Sequence, residues 1–311
     1  MIMLWGLPGD SPLEWVRSAL FRRDVAVAFI DQRDVLETEV ELYVNGAVHG
    51  VVRTPGQVID LERVTAAYIR PYSSAQLPII ERAGPFSVAW QHAVNIDDAL
   101  TSWADLSPAH VVNRPTAMAT NSAKPYQANF IQSVGFDVPA TLVTTDADAV
   151  REFRAEHAAV IYKSLSGVRS IVSRLTERHD ARLDRVRWCP TQFQQYIPGP
   201  DYRVHVVGDA VFACEVCSPA DDYRYAARYG HDVDIRPIRL PQDVTDRCRT
   251  LTRALGLSVT GIDFRRDSEG RWYCFEVNPS PAFTYYQAAT NQPVDEAIAD
   301  LLERSLADVI Q

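Results

Sequence analysis

The chain has 311 residues, is 47% hydrophobic and carries a formal net charge of -9 at pH 7, so it can bury a large core in two or three subdomains. The acidic balance argues against a nucleic-acid-binding protein, which normally presents a basic surface. No apolar run is long enough for a membrane span, the first residues do not form a signal peptide, and five cysteines do not make a disulfide framework. We therefore expect a cytoplasmic protein with reduced thiols.

The N-terminal part, residues 1–105, alternates strand and helix patterns and predicts a small α/β domain. Ser11 and Glu14 have the spacing of a capping box that would open its first helix. Asn45 and Gly46 form the favoured turn of a hairpin. The strands are predicted at 3–7, 25–30, 39–44, 47–53 and 64–69, and the helices at 11–23 and 86–105.

Two further parts follow, at 106–187 and 188–311. Residues 106–124 are rich in Pro, Ser and Asn and predict a connector. The remaining strands are predicted at 140–143, 159–163, 170–175, 192–197, around 207–210 and in a hairpin at 261–279, and the helices at 125–134, 146–156, 241–255 and 294–309. The predicted fold class is α/β (α+β).

The hairpin at 261–279 places oxygen-bearing side chains in strands. Glu276 and Asn278 share one face because side chains alternate along a strand. Asp263 lies diagonal to Glu276 in one register, directly opposite it after a slip of two, and on the other face after an odd slip. These three oxygen donors suit Mg²⁺ or Mn²⁺. The alternative is a solvated strand face.

The chain has only two lysines, and both stand where phosphate binding is plausible. Lys163 ends an apolar strand and is followed by a loop of small residues that includes Ser166 and Gly167, a pattern typical of backbone N–H donation to phosphate. Lys124 begins a helix. The alternative for a lysine at a strand end is a solvated surface residue.

A strand, a Pro/Gly bend and a charged strand span residues 194–203. The backbone of Gln195, Tyr196 and Ile197 could pair with the edge of adenine, and Arg203 could reach a phosphoryl oxygen. Arg224 could bind a substrate carboxylate. Residues 279–286 could line an acceptor site. The alternative for residues 194–203 is an ordinary strand-turn-strand. The alternative for Arg224 is a surface arginine without a function, and for residues 279–286 it is core packing.

Taken in order, these motifs resemble the ATP-grasp superfamily, most closely the RimK-type glutamate ligases and the graspetide (microviridin-type) peptide ligases. The resemblance covers about residues 110–290. It implies an ATP-grasp fold, in which nucleotide is held between two β-sheet subdomains, with an N-terminal pre-ATP-grasp domain at 1–105. The chain departs from the family pattern at Ser164, where proline is usual, in a short loop with one glycine, and at Gln195, where glutamate is usual.

The resemblance also implies the ligands and the reaction. A carboxylate reacts with ATP to give an acyl phosphate, which an amine or hydroxyl attacks with release of ADP and phosphate; the substrate would be an amino acid or short peptide, and the protein could be a homo-oligomer. A catalytically silent ATP-binding regulator or scaffold, and a carboxylate–thiol or phosphotransfer enzyme, are the alternatives. The implied contacts are Lys124, Lys163, Ser166 and Gly167 with phosphates, Gln195, Tyr196 and Ile197 with adenine, Asp201 with ribose, Arg203 and Arg224 with the γ-phosphate and acceptor, and Asp263, Glu276 and Asn278 with Mg²⁺.

Overall fold

The computed structural model describes residues 1–122, 124–164, 172–218, 223, 230 and 232–307. Within these residues the protein has mixed α/β structure built on four sheets. None of the described helices is long and apolar enough to cross a membrane.

The N-terminal part contains a parallel sheet and a small antiparallel sheet. Its first strand is buried along its whole length, which matches its continuous apolar sequence. The strands are β1 (Ile2–Gly6), β2 (Val27–Asp31), β3 (Glu39–Val44), β4 (Val48–Thr54), β5 (Gln57–Asp60), β6 (Ala66–Arg70) and β7 (His110–Val112). The sheet orders are β2-β1-β6-β7 and β3-β4-β5. The helices are α1 (Ser11–Arg22), α2 (Pro78–Ala83) and α3 (Val88–Leu106). The strands and long helices predicted here are confirmed within a few residues.

The predicted capping box at the start of α1 is wrong. Asp10 is the N-cap, and its carboxylate accepts a hydrogen bond from the N–H of Leu13 at 3.2 Å. A carboxylate at this position also favours the positive end of the helix dipole. Ser11 instead lies 2.9 Å, between hydroxyl oxygens, from Thr284 in the C-terminal part of the chain.

The predicted connector contains β7 and a short helix, α4 (Pro115–Met118). Between them, the buried Asn113 side chain donates hydrogen bonds to the carbonyl oxygens of Val259 and Pro279 at 2.7 and 2.6 Å. It accepts from the N–H groups of Ser258 and Val259. The connector is thus a structural brace across the strands of the C-terminal sheet.

The next sheet is antiparallel, with the order β10-β9-β11-β8. Its strands are β8 (Thr141–Thr144), β9 (Val160–Ser164), β10 (Ser173–Arg174) and β11 (Thr191–Gln195). The helices α5 (Lys124–Ser133) and α6 (Ala147–Glu156) precede β9 along the chain. Val150 of α6 packs in one apolar cluster with Val160 and Phe193 of this sheet. A 3₁₀ segment, Glu177–Trp188, was not predicted from the sequence.

The C-terminal sheet has five antiparallel strands in the order β14-β13-β12-β15-β16. Ile131 of α5 and several residues of α7 join its apolar core, whereas α9 packs against α1 and β6 of the N-terminal part. The strands are β12 (Asp201–Val207), β13 (Ala210–Cys217), β14 (Asp234–Ile238), β15 (Val259–Arg266) and β16 (Trp272–Asn278). The helices are α7 (Gln242–Ala254), α8 (Thr284–Thr290) and α9 (Val294–Ala307).

Candidate active site

A cleft lies between the antiparallel sheet of β8–β11 and the C-terminal sheet. The first sheet contributes Ile161, Lys163 and Gln194, and the C-terminal sheet contributes Asp263 and Glu276, among others. Residues 194–203, which connect the two sheets, are called the hinge below, and Tyr196, Ile197 and Asp201 of the hinge also line the cleft. The structure therefore brings one predicted phosphate-binding lysine, the predicted adenine segment and two predicted metal ligands into a single cleft.

A β-bulge sets the positions of the predicted metal ligands. Near the turn, Phe264 pairs with Cys274, a register that would place Asp263 opposite Phe275 and leave Glu276 on the other face. The register shifts between Asp263 and Phe264, so that Phe275 is the extra residue and Asp263 pairs with Glu276. The odd slip considered from the sequence thus occurs, and the bulge reverses its effect. Asn278, opposite Gly261, shares the face.

Arg203 stands beside these ligands with its side chain 6% exposed. Its Nη1 donates to Oδ1 of Asp263 at 2.8 Å, and its Nε donates to Nε2 of His205 at 3.3 Å. Its Cζ lies 5.4 Å from the ring centre of Tyr286. Burial opposes the charge on Arg203, but the nearby carboxylate of Asp263 raises its pKa above the ordinary value. Arg203 is therefore a fixed cation next to the predicted metal ligands.

Lys124 reaches the same face from α5. The buried side chain of Gln127, one turn later on this helix, donates to the carbonyl of Val277 at 2.8 Å and accepts from its N–H at 2.9 Å. This pair of bonds satisfies the backbone of β16 at the edge of the sheet and fixes the helix against it. Lys124 Nζ consequently lies 3.7 Å from Oε2 of Glu276, which suits a cation shared between protein and phosphate.

Two polar groups of the hinge, one side-chain oxygen and one backbone N–H, are candidates for contact with the edge of adenine. Gln194 is 5% exposed, and its Nε2 donates to the hydroxyl of Thr141 at 2.9 Å, while its Oε1 is buried without a partner. In the described part of the chain, the N–H of Ile197 has no hydrogen-bond partner either. Gln194 and Ile197 both line the cleft, and an acceptor and a donor are the groups that the amino group and ring nitrogen of adenine would require. Ile161 and Phe275 supply apolar walls.

The predicted adenine contacts at Gln195 and Tyr196 are restricted by the fold. The N–H of Gln195 donates to the carbonyl of Ala140, and the N–H of Tyr196 donates to the carbonyl of Ala159, each at 2.9 Å. These two N–H groups are therefore already bonded to residues that flank β8 and β9. Any contact of these two residues with adenine would use carbonyl oxygens or side chains.

Asp201 pairs with Arg265 on the neighbouring strand. Nε and Nη2 of Arg265 donate to the two carboxylate oxygens of Asp201 at 2.7 and 3.1 Å, and its Nη1 donates to the carbonyl of Ile197 at 3.0 Å. The Arg265 guanidinium also lies 5.2 Å from the ring centre of Tyr196. Arg265 thus ties the hinge to the C-terminal sheet and holds Asp201 in place.

The residues present fit a magnesium ion. Asp263 and Glu276 offer carboxylate oxygens, and Oδ1 of Asn278 accepts a hydrogen bond from the N–H of Ser280 at 2.9 Å, which orients its amide. Nowhere in the described chain do three His, Cys, Asp or Glu side chains gather as a metal-ligand group. An oxygen-only set with few protein ligands is what Mg²⁺ prefers when phosphates and water supply the rest.

Three predicted site residues, Ser166, Gly167 and Arg224, lie outside the described residues. Phe283 in the predicted acceptor segment is fully buried, as its core alternative required, whereas Tyr285 is 52% exposed. Sequence reasoning missed Gln194 and Arg265 as site residues. Two signals were available: Gln194 directly precedes the predicted adenine segment, and Arg265 follows the predicted metal ligand Asp263 by two residues.

Comparisons with known proteins identify the family. Residues 119–302 match the RimK-like ATP-grasp domain. A probable alpha-L-glutamate ligase from Photobacterium profundum is 26% identical over 207 residues, which are 63% of this chain and 68% of that protein.

Solved structures extend the similarity to the whole chain. The ATP-grasp ligase PsnB has been solved in complex with a phosphomimetic variant of its minimal precursor, Mg and ADP. That structure has a TM-score of 0.83 and 26% sequence identity to this chain, with 98% of each chain covered. The macrocyclase MdnC from Microcystis aeruginosa MRC, bound with the precursor peptide MdnA, shares the fold at a TM-score of 0.83, with 20% identity over 97% of this chain and 99% of MdnC. The chain thus belongs to the RimK-like ATP-grasp family and is an ATP-dependent, ADP-forming ligase.

Proposed function

We propose that this ligase activates a side-chain carboxylate of a peptide as an acyl phosphate and joins it to an amine or hydroxyl of the same peptide. The observation that carries the proposal is the single cleft that holds Lys163, Asp263 and Glu276 together with the unpaired oxygen of Gln194. The similarity to PsnB over 98% of both chains supports a peptide substrate, because it includes the N-terminal domain.

The charges of the site account for the proposed chemistry. Phosphoryl transfer requires positioning and neutralisation more than covalent help. The phosphates of ATP would be neutralised from opposite sides of the cleft by Lys163 of β9 and by Lys124 beside Glu276. Arg203 would bind the transferred phosphoryl group. Mg²⁺ held by Asp263, Glu276 and Asn278 would supply further neutralisation of the phosphates, and Mn²⁺ could occupy the same oxygen set.

The hinge would select and orient the base. Gln194 Oε1 would accept from the amino group of adenine, and the N–H of Ile197 would donate to its ring nitrogen. Asp201, fixed by Arg265, would bind the ribose hydroxyls. We further propose that Ser166 and Gly167 contact phosphate, that Arg224 binds the acyl group or acceptor, and that the chain divides at 105/106 and 187/188.

A free amino acid is the second candidate substrate, because several relatives, including that from Photobacterium profundum, are named probable alpha-L-glutamate ligases. The protein would act in the cytoplasm, where ATP is available. A homo-oligomer remains compatible with the proposal.

The test is ADP release with Mg-ATP. Candidate substrates are glutamate and short peptides that carry an acidic residue together with Lys, Ser or Thr, including any peptide encoded beside the gene. Intact mass should show the loss of one water for each bond formed within a peptide. Glu276→Gln is the matched control. ATP binding without ADP release for every substrate would favour a silent ATP-binding protein, and a product without an amide or ester would exclude the proposed bond.

A further inference from the structure

The guanidinium of Arg203 lies in a compartment that leaves it almost no freedom. A Cβ built on Gly261 would lie 2.1 Å from its Nη2, so the backbone of β15 forms the floor. Asp263 accepts from Nη1 at one edge, and His205 accepts from Nε at the other. The ring of Tyr286 lies near both, with its centre 5.4 Å from Cζ of Arg203 and 5.3 Å from the ring centre of His205.

The acceptors differ in what they can do during the reaction. Asp263 is a proposed metal ligand, so its carboxylate is shared between the guanidinium and the ion. His205 is 2% exposed, and it is held on β12 opposite Gly261. In the described part of the chain, Nη2 of Arg203 makes no hydrogen bond, so its N–H groups are the ones that we expect to bind a ligand. The bond from Nε to His205 therefore fixes the plane in which Nη2 is presented.

His205 can play this part only as a neutral imidazole with its proton on Nδ1, because Nε2 is the acceptor. Burial, and then the charge of Arg203, lower the pKa of His205 well below the ordinary value. The geometry and the charge distribution thus favour the same tautomer.

We propose that His205 is a positioning residue, which holds the guanidinium of Arg203 in the orientation that phosphoryl transfer requires. The proposal rests on the proposed function of Arg203. It assigns to a buried histidine a role that neither its strand position nor its burial alone would require, since a phenylalanine would fill the same space.

The decisive comparison is between His205→Phe, which keeps a ring but removes the acceptor, and His205→Gln, which retains an acceptor. His205→Phe should lower kcat by about tenfold or more and leave the KM for ATP within about twofold, because the cleft is intact and only the orientation of one group changes. His205→Gln should recover most of kcat. His157→Phe is the matched control and should behave as wild type, because His157 directly follows α6 and does not line the cleft.

A second readout does not depend on turnover. In metal-free protein labelled with ¹⁵N in arginine and histidine, the Nε–H signal of Arg203, identified by its loss in Arg203→Gln, should be protected from solvent exchange. The protection should disappear in His205→Phe and return in His205→Gln. His205 itself should show a protonated Nδ1 and an unprotonated Nε2.

The two readouts separate the possible failures. If the wild-type protein releases no ADP with any substrate, the proposed function fails, and the exchange measurement still decides whether His205 holds the guanidinium of Arg203. Wild-type kcat in a folded His205→Phe variant, or no rescue by His205→Gln, would overturn the proposal. If His205→Phe does not fold, a wild-type His205 protonated at Nε2 would overturn it, because that nitrogen could not accept from Arg203.

Discussion

The missing side chain at position 261 makes room for Arg203, so Gly261→Ala should displace the guanidinium. The added Cβ would lie 2.1 Å from Nη2, 2.5 Å from Cζ and 2.8 Å from Cβ of Pro281. Non-bonded heavy atoms normally approach to about 3.5 Å, so Nη2 would have to move by roughly 1.4 Å. The bond from Nη1 to Asp263 is 2.8 Å, and such a shift is large enough to break it or the bond to His205.

The expected loss of stability combines two effects. Forcing an extra carbon into a packed site costs about 1–3 kcal/mol. Losing a hydrogen bond to a charged group costs about 1.5–3 kcal/mol. We therefore expect Gly261→Ala to lower the free energy of unfolding by roughly 3–5 kcal/mol, and to lower kcat for ADP formation because Arg203 no longer lies at the proposed phosphoryl position.

Urea unfolding and ADP release measure the two effects separately. Gly56→Ala is the matched control, because its added Cβ would meet nothing within 4 Å. In an Arg203→Ala background, Gly261→Ala should cost much less, since only the contact with Pro281 remains; the resulting coupling should be about 2 kcal/mol. Wild-type stability and turnover in Gly261→Ala, or additive effects in the double mutant, would refute the reasoning.

Three further predictions follow from single contacts. Glu276→Gln should abolish ADP formation. It should change the urea midpoint little, because the carboxylate is 29% exposed and only its 3.7 Å contact with Lys124 is lost. Unchanged ADP release would contradict the role of Glu276 as a metal ligand. Gln194→Met should raise the KM for ATP several-fold, and equal KM values in the variant and wild type would argue against adenine contact. The pKa of Glu296 is lowered by its hydrogen bond to Arg22 and then by Arg23, so this pairing stabilises the fold above the ordinary value of 4.5 and is lost as pH falls below it. Urea midpoints measured at a series of pH values should therefore fall less steeply below about pH 4.5 in Glu296→Gln than in wild type.

The sequence was sufficient to predict elements whose signal is local. The parallel N-terminal strands were visible as apolar runs, and the hairpin of β15 and β16 was visible from its turn and its alternation. Asp10 and Ser11 show the limit of such reasoning. Both are good N-cap residues, and each has a distant partner that the local sequence does not indicate: Arg70 donates to the carboxylate of Asp10, and the hydroxyl of Thr284 contacts that of Ser11.

The fine geometry of the site could not be predicted because it depends on pairs of distant residues. The conformation of Arg203 requires the space above Gly261, and nothing near either residue in the sequence indicates that pairing. Similarly, the position of Lys124 depends on the hydrogen bonds between Gln127 and Val277, which join a helix to a strand much later in the chain. The sequence therefore predicted which types of residue form the site, but not the distances between their side chains.

The bulge at Phe275 explains how one hairpin can serve both ends of the proposed nucleotide site. In a regular strand, Phe275 and Glu276 would face opposite sides, yet both line the cleft. Neighbouring bonds hold this irregularity in place, since the N–H of Cys274 donates to the carbonyl of Asp137 at 2.8 Å just before it. Along the partner strand β15, Arg265 contacts the hinge, whereas Asp263 lies two residues back towards Gly261. At about 3.4 Å per residue, β15 therefore separates the hinge contact from the floor beneath Arg203 by roughly 14 Å, so the proposed nucleotide would lie along this strand with its base at Ile197 and its phosphates towards Arg203.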